Sequence, residues 1–178
     1  MMKITLVRNA QTEDDYKRIT QGRRNELLND SGRRQVLRLK AKLKDKRYDV
    51  CFVSPLTRCM ETALVSIGDR TRMIPDQRLI QREMGDFDGR SIDEYNAYLY
   101  WDYDLNKSDF GVEAIQDVFS RVEDFLNYIK KKYKKNEVII ITHDEIYRAL
   151  RHLLKKHELK GKMLDGKISE CQIEEFEL

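Results

Sequence analysis

The sequence predicts an α/β fold in three layers, a mostly parallel central sheet with helices on both faces, with an antiparallel strand allowed at its edge. Three observations predict it. Short apolar, β-branched runs alternate with segments whose apolar residues recur at helical spacing, the pattern of βαβ units. Two of the apolar runs, Lys3 to Val7 and Val138 to Thr142, stop at Arg8 and His143. In open α/β sheets ligands lie beyond the carboxyl ends of strands, so these two side chains meet if their strands are neighbours. Finally, 178 residues with two prolines, eight glycines, no internal repeat and no low-complexity linker fit one domain spanning 1–178.

The elements follow in order. After the first strand, Glu13 to Arg24 reads as polar and irregular, with a turn at Gln21-Gly22. Ser31 is placed to cap a helix with Gln35 reaching back, and Val36, Leu39 and Leu43 give its apolar face. Asp49 to Ser54 is a second buried strand, stopped by Pro55, which suits a first helical turn. The helix after it carries Leu56, Met60, Ala63, Leu64 and Ile67 and ends at Gly68. Thr71 to Pro75 reads as a short strand, and Gln81 to Gly89 as a loop. Ser91 caps a helix from Ile92 through Tyr98, and Tyr100 to Phe110 is irregular; the aromatic and acidic stretch from Tyr95 to Phe110 reads as a lid or rim. A long helix spans Val112 to Tyr133, with Ile115, Val118, Phe119, Val122, Phe125, Leu126 and Ile129 on one face. The strand to Thr142 and a helix from Glu145 to Lys156 precede an alternating edge strand within Ile168 to Leu178.

Composition narrows the function classes. The charged fraction is 37% but the net charge is only +3. Basic runs at Arg33-Arg34, Lys42 to Arg47 and Lys130 to Lys135 are interleaved with acids and read as solvated helix faces. They do not make a nucleic-acid groove, which needs a dominant basic excess and stacking aromatics. No apolar stretch approaches the ~20 residues of a membrane span, and strand residues beginning at Lys3 leave no signal peptide. Cys51, Cys59 and Cys171 fit neither a disulfide framework nor a zinc site, which points to a reduced, cytoplasmic setting. His152 and His157 fall in or after a basic helix and read as surface residues. The sequence sets no oligomeric state.

Five segments carry a resemblance. Leu6-Val7-Arg8-Asn9-Ala10-Gln11-Thr12 resembles the leading Arg-His-Gly/Ala-x-Thr motif of the histidine phosphatase (phosphoglycerate mutase-like) superfamily. Ser54-Pro55-Leu56-Thr57-Arg58-Cys59-Met60-Glu61-Thr62-Ala63 resembles its Ser-Pro-Leu-x-Arg-x-x-x-Thr-Ala motif. Gly111-Val112-Glu113 with Asp117 and Arg121 resembles its Gly-Glu-Ser…Asp…Arg segment, and Thr142-His143 with Arg148 its Thr-His-Gly…Arg motif. Gln21-Gly22, Asn25, Leu28, Gly32 and Gln35 resemble a further stretch. The resemblance implies a small phosphatase-type member, since the chain lacks room for the long insertions of glycolytic mutases.

It also implies roles. The family transfers a phosphoryl group to a histidine and then to water or another acceptor. Arg8 and Arg58 would hold phosphate with planar forks of donors. His143 would hydrogen-bond the transferred group and steady its charge. Glu83 would be the general acid, with Asp86 as the other candidate, because the family spaces this glutamate further from Gly85-Asp86-Phe87-Asp88-Gly89 and the loop looks two residues short. No metal or organic cofactor is implied, the arginines supplying the positive charge. The partner would be a phosphorylated small molecule or a phosphoprotein.

One position departs sharply. Asn9 stands where the family has its nucleophilic histidine. An amide nitrogen has its lone pair delocalised and forms no phosphoenzyme, though it can donate to a phosphate oxygen. The resemblance therefore implies retained binding and lost or impaired turnover. A non-catalytic phospho-ligand sensor or a protein-interaction module are the alternatives. Asn9 is either natural or a replacement made to trap a substrate. Asp15 and Asp144 also differ from the family pattern and add negative charge near the phosphate position, which favours natural divergence.

Overall fold

Five strands, β1 (Lys3–Arg8), β2 (Val50–Val53), β3 (Met73–Pro75), β4 (Glu137–Thr142) and β5 (Ile173–Glu177), form one sheet in the order β3-β2-β4-β1-β5. The computed structural model describes residues 1–178. Every pairing is parallel except β1 with β5, so the antiparallel strand lies at the edge. β4 is central and buried from Val138 to Thr142, which explains its unbroken apolar run.

Alternation along the strands builds two cores. Ile4, Leu6, Phe52, Val138 and Ile140 face α5 (Ile115–Lys132) and α6 (Asp144–Leu154). Val7, Cys51, Val53, Ile139 and Ile141 face α2 (Asp30–Leu43) and α3 (Thr57–Ser66). The result is the expected three-layer arrangement. In register, Arg8 is opposite Thr142, so the chain leaves β1 beside the residue that precedes His143.

Several local expectations change. The polar stretch after β1 contains a short helix, α1 (Glu13–Lys17), made by a capping box in which Thr12 accepts from the Asp15 amide and Asp15 accepts from the Thr12 amide. α2 is capped by Asn29, whose side chain accepts from the Gly32 amide at 2.7 Å, and not by Ser31. Gln35 instead accepts from the Gln11 amide at 2.9 Å and so braces the β1 exit. Pro55 lies before the α3 cap, Leu56. The segment after Ser91 is one 3₁₀ turn, Ile92–Glu94, followed by a single helical turn, α4 (Ala97–Tyr100). Trp101 just beyond it is fully buried against Phe119. His152 is buried, not on the surface: its Nε2 faces the Met163 carbonyl at 3.0 Å.

Gly32 fixes how closely α2 approaches the loop after β1. A Cβ there would lie 2.1 Å from the Gln11 carbonyl oxygen, the same oxygen that accepts from the Asn29 amide. Gly32→Ala should cost about 1–3 kcal/mol through overpacking, read as a lowered urea midpoint. A change within about 0.5 kcal/mol would contradict this close packing.

Candidate functional site

The carboxyl ends of β1 and β4 open into a cavity of about 190 Å³. Arg8, Asn9, Arg58 and His143 all line it, so the structure brings four of the expected residues together. Glu83 and Asp86 do not line it. Glu83 points to Arg23, 3.6 Å away, with its side chain 39% exposed. Asp86 sits in a 3₁₀ turn, Gly85–Phe87, outside the cavity wall. Two residues before Glu83, the distance by which the loop looked short, stands Gln81, which does line the cavity and is buried. The spacing mismatch was the signal that could have found it.

Arg58 is held by three partners. Its Nη1 and Nη2 donate to the Arg24 and Gly22 carbonyls at 2.7 and 2.9 Å, and its Nε donates to His143 Nδ1 at 3.1 Å. The Gln21-Gly22 turn therefore serves as a backbone brace for this arginine. Because Arg58 always donates, His143 Nδ1 accepts, and the imidazole carries its proton on Nε2, which donates to Ser54 Oγ at 2.7 Å. Burial and the charges of Arg58, Arg121 and Arg8 hold the His143 imidazole well below its usual pKa range. The ring is neutral, and both nitrogens have protein partners.

Arg8 closes on its own surroundings as well. It donates to the Ile168 carbonyl and to Asp15, 3.3 Å away, and lies 3.5 Å from Glu170. Its Nε is buried with no partner. Asp15 thus has two duties, the capping box and the Arg8 pair. Asn9 donates from Nδ2 to the Ala10 carbonyl at 2.8 Å, which leaves Oδ1 as the free end of the amide. Gln81 donates from Nε2 to the Gln21 carbonyl at 3.2 Å, leaving Oε1 buried and unpartnered. The reverse amide orientations would set two oxygens against each other.

The wall beyond His143 includes Asp144, Glu145 and Arg148. Glu145 accepts from Trp101 Nε1 at 3.1 Å and lies 3.8 Å from Arg82 Nε. Burial raises its carboxyl pKa. Arg148 lies 3.3 Å from Asp144 and donates to the Asp165 and Gly166 carbonyls. With Arg8, Arg58 and Arg148 against Asp15, Asp144 and Glu145, the cavity wall is balanced in formal charge. No cluster of three or more His, Cys, Asp or Glu side chains is placed to hold a metal ion, and no helix is long and apolar enough to cross a membrane.

A mostly parallel sheet that brings Arg8 from the end of β1, Arg58 from α3 and the buried His143 from the end of β4 to one cavity defines an α/β scaffold with a cationic site at its carboxyl edge. Residues 4–178 match the histidine phosphatase superfamily (branch 1), and the chain belongs to that family. It is 28% identical over 157 residues to phosphoserine phosphatase 1 of Hydrogenobacter thermophilus, across 84% of this chain and 74% of that one. Its fold is similar to that of Bacillus stearothermophilus YhfR, with a TM-score of 0.88 and 22% identity over 100% of this chain and 92% of that one. It is also similar to a histidine-to-alanine mutant of the Entamoeba histolytica phosphoserine phosphatase in complex with phosphoserine. There the TM-score is 0.83, with 19% identity over 98% of this chain and 90% of that one.

The neutral His143 makes stability depend on pH. The unfolded chain binds a proton there near pH 6.5 and the folded chain resists it. Its contribution is full above about pH 6.5 and falls as the solution is acidified. Glu145, raised by burial, acts in the opposite sense from about pH 4.5 upward. The difference between the parent chain and His143→Asn isolates the imidazole. Between about pH 7.5 and 5.5, the melting temperature of the parent should fall more steeply than that of the variant; parallel slopes would contradict a buried neutral ring.

Proposed function

We propose that this histidine phosphatase scaffold binds a phosphorylated small molecule or phosphoprotein at Arg8 and Arg58, and that its turnover by the family route is lost or strongly impaired. One observation carries the reading. Asn9 and Gln81 line the same cavity as the two arginines, so the places for a nucleophile and a proton donor both hold amides. A carboxamide is not basic enough to attack phosphorus and has no proton to give a leaving oxygen near neutral pH.

Binding does not depend on either amide. A guanidinium has five N–H donors. Arg58 commits three to its braces, and Arg8 commits two by hydrogen bonding, its buried Nε being unpartnered. The remaining N–H groups suit phosphate oxygens in pairs. That the Entamoeba histolytica phosphoserine phosphatase holds phosphoserine after losing a histidine supports the same separation of binding from chemistry. Phosphoserine and its relatives are the starting ligand class.

Gln81 also bears on the alternatives. A single histidine replaced to trap a substrate would leave an acid in place, so amides at both positions favour natural divergence toward a phospho-ligand sensor. His143 then serves as a positioning residue that orients Arg58 through Nδ1.

The test is hydrolysis of an aryl phosphate by four chains: the parent, Asn9→His, Gln81→Glu and the double variant. The parent and Gln81→Glu should show no turnover above background. Asn9→His should recover activity, and adding Gln81→Glu should raise it by about 10²–10⁴-fold. Phosphate binding, measured by calorimetry, should persist in the parent and disappear in Arg8→Ala. A parent as active as Asn9→His would overturn the reading.

A further inference from the structure

Outside the phosphate site, one contact is defined by the proton it holds. His152 on α6 is buried, and His157, just beyond the helix, is exposed. His152 Nε2 lies 3.0 Å from the Met163 carbonyl, and the Nδ1 atoms of the two histidines lie 3.2 Å apart. A carbonyl only accepts, so His152 carries a proton on Nε2. Two lone pairs, or two N–H groups, do not face each other at hydrogen-bond distance, so one proton sits between the Nδ1 atoms. In the uncharged pair that proton belongs to His157, whose Nε2 is then free. A first added proton fits on this free nitrogen. A second finds only the shared position left and breaks the contact.

The contact holds a strap. Gly161 to Gly166 follows His157 and packs along the cavity wall. The Gly161 carbonyl accepts from the Tyr103 amide at 2.8 Å, and the Met163 amide donates to the Trp101 carbonyl at 2.9 Å. The Asp165 and Gly166 carbonyls accept from Arg148. Leu164 of the strap, Trp101 and Arg148 all line the cavity. Lys156 takes a φ of +56°, which turns the chain back so that the His157 amide donates to the His152 carbonyl at 3.0 Å.

The charged groups around the pair set when the second proton arrives. Asp165 Oδ1 lies 3.8 Å from His152 Nε2, and Asp165 is itself paired with Arg148 at 3.3 Å and Arg151 at 2.6 Å. α5 sets the Phe119 ring against His152, with centroids 6.1 Å apart. Lys156 and Glu158 flank His157 in the chain. Burial holds the His152 imidazole below its usual pKa range; Asp165 and the Met163 carbonyl act against that shift, and His157 and Arg151 act with it. Double protonation therefore belongs to acid conditions, where two imidazolium rings at this spacing repel.

We propose that His152 and His157 form an acid-released clamp that keeps the strap, and with it the cavity wall, closed near neutral pH. The clamp is independent of the phosphate reading above; its effect on ligand binding rests on that reading.

The experiment follows the full chain by NMR, its three histidines being few enough to assign by substitution. At about pH 8, ring nitrogen shifts should show His152 protonated on Nε2 and His157 on Nδ1. From about pH 7 to 5, the Met163 and Leu164 amide signals should shift together in the parent and stay fixed in His157→Gln, which keeps a donor to His152 without titrating. Calorimetry with inorganic phosphate at about pH 7.5 and 5.5 gives the second readout. Affinity should weaken at least about threefold more in the parent than in His157→Gln, equivalent to about a third of chains keeping the strap closed. Protonation of the phosphate, Glu145 and His143 is common to both chains and cancels in that ratio. His152 protonated on Nδ1 at about pH 8, or strap amides that shift equally in both chains, would overturn the clamp. Equal weakening of phosphate binding in the two chains would overturn its control of the cavity. Absence of phosphate binding in both at about pH 7.5 would overturn the phosphate reading, while the amide shifts still decide the clamp.

Discussion

The parallel register of β1 and β4 is the constraint on which the site depends. It sets Arg8 opposite Thr142, so Asn9 and His143 leave neighbouring strands at the same level. The Asn9 amide then donates to the Thr142 carbonyl at 2.8 Å, carrying the ladder one step past the strands. A slip of one residue would turn Leu6, Val7 and all their neighbours to the wrong faces, so two apolar cores enforce the register. α3 is tied to the same edge, because the Ala10 amide donates to Thr62 Oγ1 and Thr62 Oγ1 in turn to the Arg58 carbonyl. Packing energy thereby fixes where two guanidinium groups converge.

Within that frame the charged groups do different work. Arg58 commits three of its five N–H donors to two carbonyls and His143, which holds its guanidinium in place and leaves the imidazole neutral. Arg8 is held by the Ile168 carbonyl and by carboxylates from α1 and the segment before β5. A phosphate at the proposed site would compete with Asp15 and Glu170 for Arg8 but would have little to displace at Arg58. The arrangement favours selective binding over tight binding of any anion.

Much of the fold was legible in the sequence because it depends on local pattern. The apolar run of β4 and the helical stripe of α5 name their own environments, and the strand ends named Arg8 and His143. What was not legible depends on partners distant in sequence. Ser31 and Asn29 are both acceptable caps, and only the approach of Gln11 decides for Asn29. His152 looked exposed because its helix is basic, but the loop bearing Met163 folds over it. Asp15 stands in the sequence as charge near the phosphate position, but Thr12 three residues earlier marks a capping box. Glu83 drew attention as a carboxylate of the expected type. The better guide was its displacement by two residues, which led to Gln81.

The central claim, that two arginines hold a phosphate beside an asparagine that cannot accept the phosphoryl group, is tested most directly by a crystal structure grown with a phosphate monoester. The account predicts an intact ester with its phosphate hydrogen-bonded by both Arg8 and Arg58, with no covalent bond to the protein. An ester bound elsewhere, with Arg8 still closed on Asp15 and Ile168, or a phosphoryl group attached to a side chain, would contradict it.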